Sequence, residues 1–229
     1  MRPTVLFALL VSYGVRAPVG KALAGFLFLA MLAGPAAAEK VHIVAFGDSL
    51  TAGYGLPEHE GFVPQLRAWL EAQDEDVRVV NAGVSGDTTA GGQARFEWSL
   101  TAELQGVILI LGGNDALRGI DPATMRANLD AILETAAERE LEVLLVGMPG
   151  PGNYGPDYRA EFEAVYADLA EKHDTLFYPD FLAPLGDDPA EALDFMQADG
   201  IHPDAEGVAR IVEAFGPSVQ ALIERIRSE

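Results

Sequence analysis

The chain has 229 residues, 49% of them apolar, which is ample for one hydrophobic core of ordinary size and argues against a disordered chain. A formal net charge of −20 at pH 7 makes nucleic acid and anionic membrane surfaces poor partners. The chain contains no cysteine, which excludes a disulfide framework and a lipidated cysteine.

Residues 1–38 differ in composition from the rest of the chain. They contain three basic residues, no acidic residue and a predominantly apolar run from Ala22 to Ala33, and they end in small residues. This pattern is typical of a secretory signal peptide, so we predict cleavage between Ala38 and Glu39 and a periplasmic or secreted product. The apolar run is short for a bilayer span, so we expect no stable membrane anchor. After cleavage, 12 basic residues face 35 acidic ones, and the net charge becomes −23.

Predicted strands and helices alternate along the remaining chain, which we expect to form a single domain over residues 39–229. In chain order they are a strand over 41–46, a helix over 61–73, a strand over 77–80, a helix from 87 towards 104, a strand over 107–111, a helix over 121–140, a strand over 141–146, a helix over 158–173, a strand over 176–178, and a last helix opened by Pro203.

Hydrophobic patterning and capping signals support these elements. Residues 107–111 form a continuous apolar run, as expected for a strand that is buried on both faces of a parallel sheet. Asp121 precedes Pro122, which gives a capping side chain and then a proline at the first helical position. The alternation of strands and helices predicts an α/β fold with a parallel, doubly wound sheet.

The first strand leads through Gly47 to the pair Asp48-Ser49, at the strand end where open α/β sheets place their reactive groups. Ser49 as a nucleophile requires a base, an acid and an oxyanion site elsewhere in the chain. Asp199 and His202 are three residues apart, so the carboxylate can reach one imidazole nitrogen and leave the other free to face Ser49. Turn and capping chemistry can also explain each of these residues taken alone.

Three groups are candidates for the oxyanion site. The backbone N–H groups of Ser49 and Gly83 and the side-chain amide of Asn114 each follow a separate predicted strand. Gly83 suits a close approach because it has no side chain. A tight turn leaving a strand is the alternative explanation for the Gly112-Gly113-Asn114-Asp115 sequence.

Together these motifs resemble the four sequence blocks of the SGNH (GDSL) hydrolases, in the same order. The blocks are Gly47-Asp48-Ser49-Leu50, Gly83, Gly112-Gly113-Asn114-Asp115 and Asp199-x-x-His202. Further segments resemble the bacterial periplasmic branch described as acyl-CoA thioesterase, lysophospholipase and arylesterase; they lie at 81–88, 117–119, 153–155 and 195–197.

The resemblance implies a three-layer α/β/α, flavodoxin-like fold with a parallel five-stranded sheet. It also implies an acyl-enzyme mechanism with Ser49, Asp199 and His202 as the catalytic triad and with Ser49, Gly83 and Asn114 as the oxyanion hole. The expected partner is a small-molecule acyl ester or thioester, and we expect a monomer. Side chains expected to border the substrate lie on loops: Leu117, Ile120, Met148, Pro149 and Tyr154.

For the other histidines and for two loop aspartates we expect no role in the reaction itself. We expect His42 and His173 to be structural, and Asp48 and Asp115 to accept hydrogen bonds in their loops. Of these other histidines, only His59, in the loop after Ser49, is a candidate contact for substrate. No His, Cys, Asp or Glu cluster has metal-site spacing, so we expect no metal and no cofactor.

Two alternatives remain open on the sequence. A carbohydrate O-acetylesterase would share the fold and the triad. A catalytically inert glycan- or lipid-binding module on the same scaffold would usually lack one of the four blocks, and none is lacking here.

Overall fold

Five parallel strands form one sheet in the computed structural model, which describes residues 40–186 and 188–228. The strands are β1 (Val41–Gly47), β2 (Val77–Gly83), β3 (Gly106–Ile110), β4 (Glu142–Val146) and β5 (Leu176–Tyr178). Their order across the sheet is β2-β1-β3-β4-β5, which is the flavodoxin-like order. The predicted signal peptide, residues 1–38, lies outside the described residues.

Helices connect the strands and follow the last one. They are α1 (Ser49–Ala52), α2 (Phe62–Ala72), α3 (Thr89–Ser99), α4 (Gly113–Leu117), α5 (Pro122–Glu138), α6 (Pro156–His173), α7 (Pro189–Ala192) and α8 (Ala205–Ser228). Single 3₁₀ turns lie at Glu58–Glu60, Gly152–Tyr154, Ala183–Leu185 and Leu193–Phe195.

The helices cover the sheet in two groups. Helix α2 packs against α8, and α8 also contacts β1, β3, β4 and β5. Helices α3, α5 and α6 pack side by side, and α5 and α6 contact β4. Every residue of β3 is buried, as predicted from its continuous apolar run, because this central strand has helices over both faces. The predicted three-layer α/β/α class is confirmed.

Local capping chemistry sets several helix starts. The Asp121 side chain accepts a hydrogen bond from the Ala123 N–H at 2.8 Å, and Pro122 occupies the first turn of α5, as predicted. Thr88 caps α3 by accepting from the Gly91 N–H at 3.3 Å. Helix α3 ends at Ser99, well short of the predicted extension towards Leu104.

The predicted start of the last helix is wrong. Pro203 forms an isolated antiparallel bridge with Met196, and α8 begins at Ala205. Asp204 caps the helix instead, because its Oδ1 accepts from the Gly207 N–H at 2.8 Å and its carbonyl accepts from the Val208 N–H at 2.9 Å. His202 therefore belongs to a bridged loop and is not a helix-entry residue.

Candidate active site

The strand register brings the predicted site residues to one edge of the sheet. Gly47 of β1 pairs with Gly83 of β2 and with Ile110 of β3, so these strands end at the same level. The connections from β1 and β3 lead to opposite sides, and this divergence opens a crevice at the carboxyl ends of the strands. Ser49 follows β1 and Asn114 follows β3, so both lie at that crevice.

Ser49, His202 and Asp199 form a continuous hydrogen-bonded relay. The Ser49 hydroxyl lies 2.8 Å from His202 Nε2, and His202 Nδ1 lies 2.7 Å from Asp199 Oδ2. The other carboxylate oxygen, Oδ1, accepts from the backbone N–H groups of Ile201 and His202 at 2.9 and 3.0 Å. These bonds, led by the one to the imidazole, hold the pKa of Asp199 at about 2. The carboxylate is thus ionised and oriented towards His202.

The three predicted oxyanion donors differ in their present partners. Ser49 and Asn114 border the crevice, and one N–H of the Asn114 amide donates to Asp48 Oδ2 at 3.2 Å. The Gly83 N–H donates to Asn81 Oδ1 at 2.9 Å, and Gly83 is not among the residues that line the crevice. A Cβ at Gly83 would lie 2.3 Å from the Ala52 nitrogen, so only glycine fits between β2 and α1. For Gly83 to reach an oxyanion, Asn81 would have to release its N–H.

The crevice is an apolar cavity of about 380 Å³ next to Ser49. Its apolar lining comes from the loops after four strands: Leu50, Tyr54, Ala116, Leu117, Met148, Pro149, Pro151, Leu182, Met196 and Ile201. A cavity of this size and character suits an aliphatic or aryl acyl group.

Three of the five predicted substrate contacts, Leu117, Met148 and Pro149, line the cavity. The other two, Ile120 and Tyr154, are not among its lining residues. The Ile120 carbonyl accepts from the Tyr158 hydroxyl at 2.9 Å, and the Tyr154 ring lies over Gly119. Both therefore contact the end of α4 and the turn after it rather than border the cavity.

Sequence reasoning missed the cavity residues on the other side of Ser49. Leu50 and Tyr54 belong to α1 and the turn after it, Met196 lies three residues before Asp199, and Ile201 directly precedes His202. Their closeness in sequence to Ser49 and His202 is a signal that could have identified them. Leu182 carries no such signal, since it lies in an irregular segment 17 residues before Asp199.

Comparisons with known proteins place these motifs in a family. The sequence model of the GDSL-like Lipase/Acylhydrolase family matches residues 45–210. The chain belongs to this family. The match includes Ser49, Asn114, Asp199 and His202.

Named relatives of this GDSL hydrolase are esterases and a thioesterase. Esterase TesA of Pseudomonas aeruginosa is 40% identical over 202 residues, which cover 88% of this chain and 98% of the relative. Thioesterase 1/protease 1/lysophospholipase L1 of Escherichia coli strain K12 is 34% identical over 199 residues, covering 86% and 92%. The crystal structure of AlinE4, an SGNH-hydrolase family esterase, has a TM-score of 0.66 at 43% identity and covers 80% of this chain and 96% of its own. The predicted family, fold and ester-hydrolase class are confirmed.

Two buried aspartates of this GDSL hydrolase accept hydrogen bonds, as expected from the sequence. Asp48 accepts from the Leu50 N–H and from Asn114. Asp115 is fully buried and accepts from the Thr89 N–H at 2.8 Å and from the Thr89 hydroxyl at 2.6 Å. Burial raises the pKa of both carboxyl groups, and that of Asp48 reaches about 6.

None of the three remaining histidines lines the cavity beside Ser49. His42 on β1 is 3.5 Å from a Glu103 carboxylate oxygen, and His173 at the end of α6 is 2.6 Å from Asp130 Oδ1. His59 is a largely exposed side chain beside Glu60 and does not line the cavity. Within residues 40–186 and 188–228, no group of three His, Asp or Glu side chains is arranged to hold a metal ion. In the same part of the chain, no helix has both the length and the apolar character to cross a bilayer.

Proposed function

We propose that this GDSL hydrolase cleaves acyl esters and thioesters through an acyl-enzyme on Ser49. The observation that carries the proposal is the relay from Asp199 through His202 to the Ser49 hydroxyl, with bonds of 2.7 and 2.8 Å, at the wall of an apolar cavity. The family match and the names of the esterase and thioesterase relatives support the same reaction class.

The residues take the following roles in this mechanism. The Ser49 oxygen attacks the acyl carbon while its proton moves to His202 Nε2, and Asp199 stabilises the imidazolium and fixes its tautomer. The Ser49 N–H and the Asn114 amide donate to the oxyanion that forms. His202 then protonates the leaving alcohol or thiol, which departs. Water then attacks the acyl carbon and gives a proton to His202, which passes it to the Ser49 oxygen as the bond between Ser49 and the acyl carbon breaks and the carboxylic acid leaves.

The cavity favours longer acyl groups over acetyl. An acetyl group has two carbons, whereas the cavity of about 380 Å³ has a mainly apolar wall and lies within the range of small-molecule sites. The cavity therefore supports an O-acetylesterase less well than a hydrolase of longer acyl esters. An inert binding module would not need the complete hydrogen-bonded relay of Ser49, His202 and Asp199. We also propose that residues 1–38 direct export and that residues 39–229 act as one hydrolase domain in the periplasm or outside the cell.

Labelling with a fluorophosphonate tests the nucleophile. Ser49→Ala should abolish both labelling and the hydrolysis of p-nitrophenyl acyl esters, while its thermal unfolding stays cooperative because one hydroxyl contributes little to packing. Ser85 also borders the cavity, and Ser85→Ala should still be labelled because His202 bonds to Ser49. Equal labelling of wild type and Ser49→Ala would overturn the assignment.

A further inference from the structure

The acid and the base lie on a short loop that is closed by its own backbone. In this acid–base loop, residues 196–203, Met196 bridges Pro203, and the Gln197 N–H donates to the His202 carbonyl at 2.7 Å. The Gly200 N–H donates to the Gln197 carbonyl at 2.9 Å. Asp199 and His202 are therefore held in one closed unit, and a contact outside the loop fixes this unit against the turn of Ser49.

The side chain of Gln197 leaves the loop and makes that contact. Its Nε2 donates to the Pro203 carbonyl at 2.9 Å and to the Tyr54 carbonyl at 2.8 Å. An amide nitrogen has two N–H groups, so these two bonds use both. Tyr54 lies just after the helix that begins at Ser49, and its own N–H donates to the Ser49 carbonyl at 3.1 Å. One amide group thus connects the loop of His202 to the turn of Ser49.

The turn after Ser49 is shaped to receive this amide. Gly55 has a φ of 77°, and a Cβ placed on it would lie 2.1 Å from Gln197 Oε1, so a side chain at this position would displace the amide. The Tyr54 ring also packs against the His202 imidazole, with ring centroids 4.7 Å apart. Gly55 and Tyr54 therefore allow the turn after Ser49 to pack closely against the acid–base loop.

We propose that Gln197 is a positioning residue that sets the distance between His202 Nε2 and Ser49 Oγ. This inference rests on the proposed function, because it assigns Gln197 a role in the proposed proton transfer. The two reacting atoms belong to residues 153 positions apart, and a misplacement of about 1 Å between reacting groups can cost on the order of 10²-fold in rate. The amide holds the side of the cavity formed by Tyr54, Met196 and Ile201, whereas most of the apolar wall comes from segments that it does not contact, with Leu117, Met148, Pro149 and Leu182.

Gln197→Met removes both donors at nearly constant size and is the main test. We expect kcat for a p-nitrophenyl ester to fall about 10- to 100-fold and KM to stay within about threefold, because binding is retained and proton transfer is impaired. The rate of fluorophosphonate labelling should fall in parallel with kcat, since it also requires an activated Ser49.

Gln65→Met is a matched control for a purely structural effect. Gln65 Nε2 also bridges two backbone carbonyls, those of Glu60 at 2.7 Å and Ala205 at 3.1 Å. Both variants should lower Tm to a similar degree, whereas only Gln197→Met should lose kcat and Gln65→Met should stay within about twofold of wild type. Equal losses of kcat in the two variants, or a Gln197→Met effect confined to KM, would refute a positioning role.

Gln197→Glu provides a second variant of the same length. Its carboxylate only accepts hydrogen bonds and would face two carbonyl oxygens, so we expect a loss of kcat at least as large as that of the methionine variant. Full activity of either variant, with Ser49→Ala inactive, would reject the role of Gln197 alone. Turnover by Ser49→Ala would reject the proposed function itself.

Discussion

Asp48 lies directly before the proposed nucleophile. Its burial lowers the stability of the fold at neutral pH, whereas its charge orients the side chain of Asn114. It is 3% exposed, and burial raises its pKa to about 6 despite the hydrogen bonds from the Leu50 N–H and Asn114. An ionised carboxylate can only accept, so it keeps the NH₂ group of Asn114 rather than its oxygen on this side. The second N–H of Asn114 then remains available to an oxyanion. A buried charge thus orients a donor that the proposed mechanism uses.

At neutral pH, Asp48→Asn should be more stable than the wild type but less active. Because the folded-state pKa lies above the ordinary 3.8, the wild type loses stability as pH rises from 3.8 to about 6, by roughly 3 kcal/mol. The variant lacks this ionisation, so its Tm relative to wild type should increase between about pH 4 and pH 8. Its kcat should fall about 10-fold or more, since an amide at position 48 can donate towards Asn114 and turn the Asn114 oxygen to the cavity.

Thermal unfolding at the two pH values, together with steady-state kinetics, measures both effects. A Tm difference that does not change with pH would mean that Asp48 does not titrate in this window. Unchanged kcat would mean that the orientation of Asn114 does not depend on the carboxylate.

At the scale of elements, the sequence predicted those strands and helix starts that are determined by a local pattern of residues. The apolar run of β3 and the Asp121-Pro122 start of α5 are local signals, and the structure contains both. The meeting of Ser49 with His202 followed from parallel strand ends and from the family motifs. The position of Pro203 could not be predicted locally, because its partner Met196 lies in an irregular segment with no periodicity to reveal a bridge.

Side-chain directions within loops were also beyond the sequence. Ile120 and Tyr154 were expected at the substrate but are not among the residues that line the cavity, and the Gly83 N–H, a predicted oxyanion donor, donates to Asn81. Each outcome depends on contacts between segments that are distant in sequence or on the path of one turn. The pattern of apolar residues in a loop sequence does not reveal such contacts or the path of a turn.

Helix α3 joins the ends of the two strands that precede the site. Arg95 on this helix donates to the Gly47 carbonyl at 2.8 Å and to the Ala82 carbonyl at 2.9 Å, and it forms an ion pair with Asp87. Its guanidinium also lies 3.9 Å from the centroid of the Phe46 ring. One side chain therefore donates to carbonyl groups at the carboxyl ends of β1 and β2, next to Asp48 and Gly83, and the Gly47 carbonyl also accepts from the Val84 N–H at 3.0 Å.

Arg95→Met should destabilise the fold by about 3 kcal/mol, because hydrogen bonds from charged groups contribute more than neutral ones and two carbonyls would lose a partner. For a chain of this size we expect Tm to fall by roughly 6 to 12 °C. Arg126→Met is the matched control, since Arg126 on α5 pairs with Asp168 at the exposed surface and such pairs contribute about 0 to 1 kcal/mol. Similar Tm losses in the two variants, measured by thermal unfolding at neutral pH, would contradict the role assigned to Arg95.

At the scale of the whole molecule, charge should discriminate between substrates that the cavity accepts equally. Residues 39–229 carry a formal −23, from 12 basic and 35 acidic residues. Two arginines lie near the cavity. Arg118 donates to the carbonyl of Gly86, which lines it, and Arg159 donates to the carbonyl of Gly150, between the lining residues Pro149 and Pro151, and also pairs with Glu163 at 3.4 Å. The long-range field of the molecule is thus negative, and a local positive contribution at the mouth would come chiefly from Arg118.

The response to salt should therefore separate acyl-CoA thioesters from neutral esters. A CoA head group carries several phosphate charges, so the negative enzyme should oppose its approach. About 0.15 M salt shortens the Debye length to about 8 Å and weakens this repulsion. We expect kcat/KM for an acyl-CoA to rise with salt, while kcat/KM for a neutral aryl ester of equal chain length changes little. If kcat/KM for the acyl-CoA falls instead, a basic docking patch outweighs the net charge. Arg118→Gln should then remove that fall, and thioesters would become the better-supported physiological substrates.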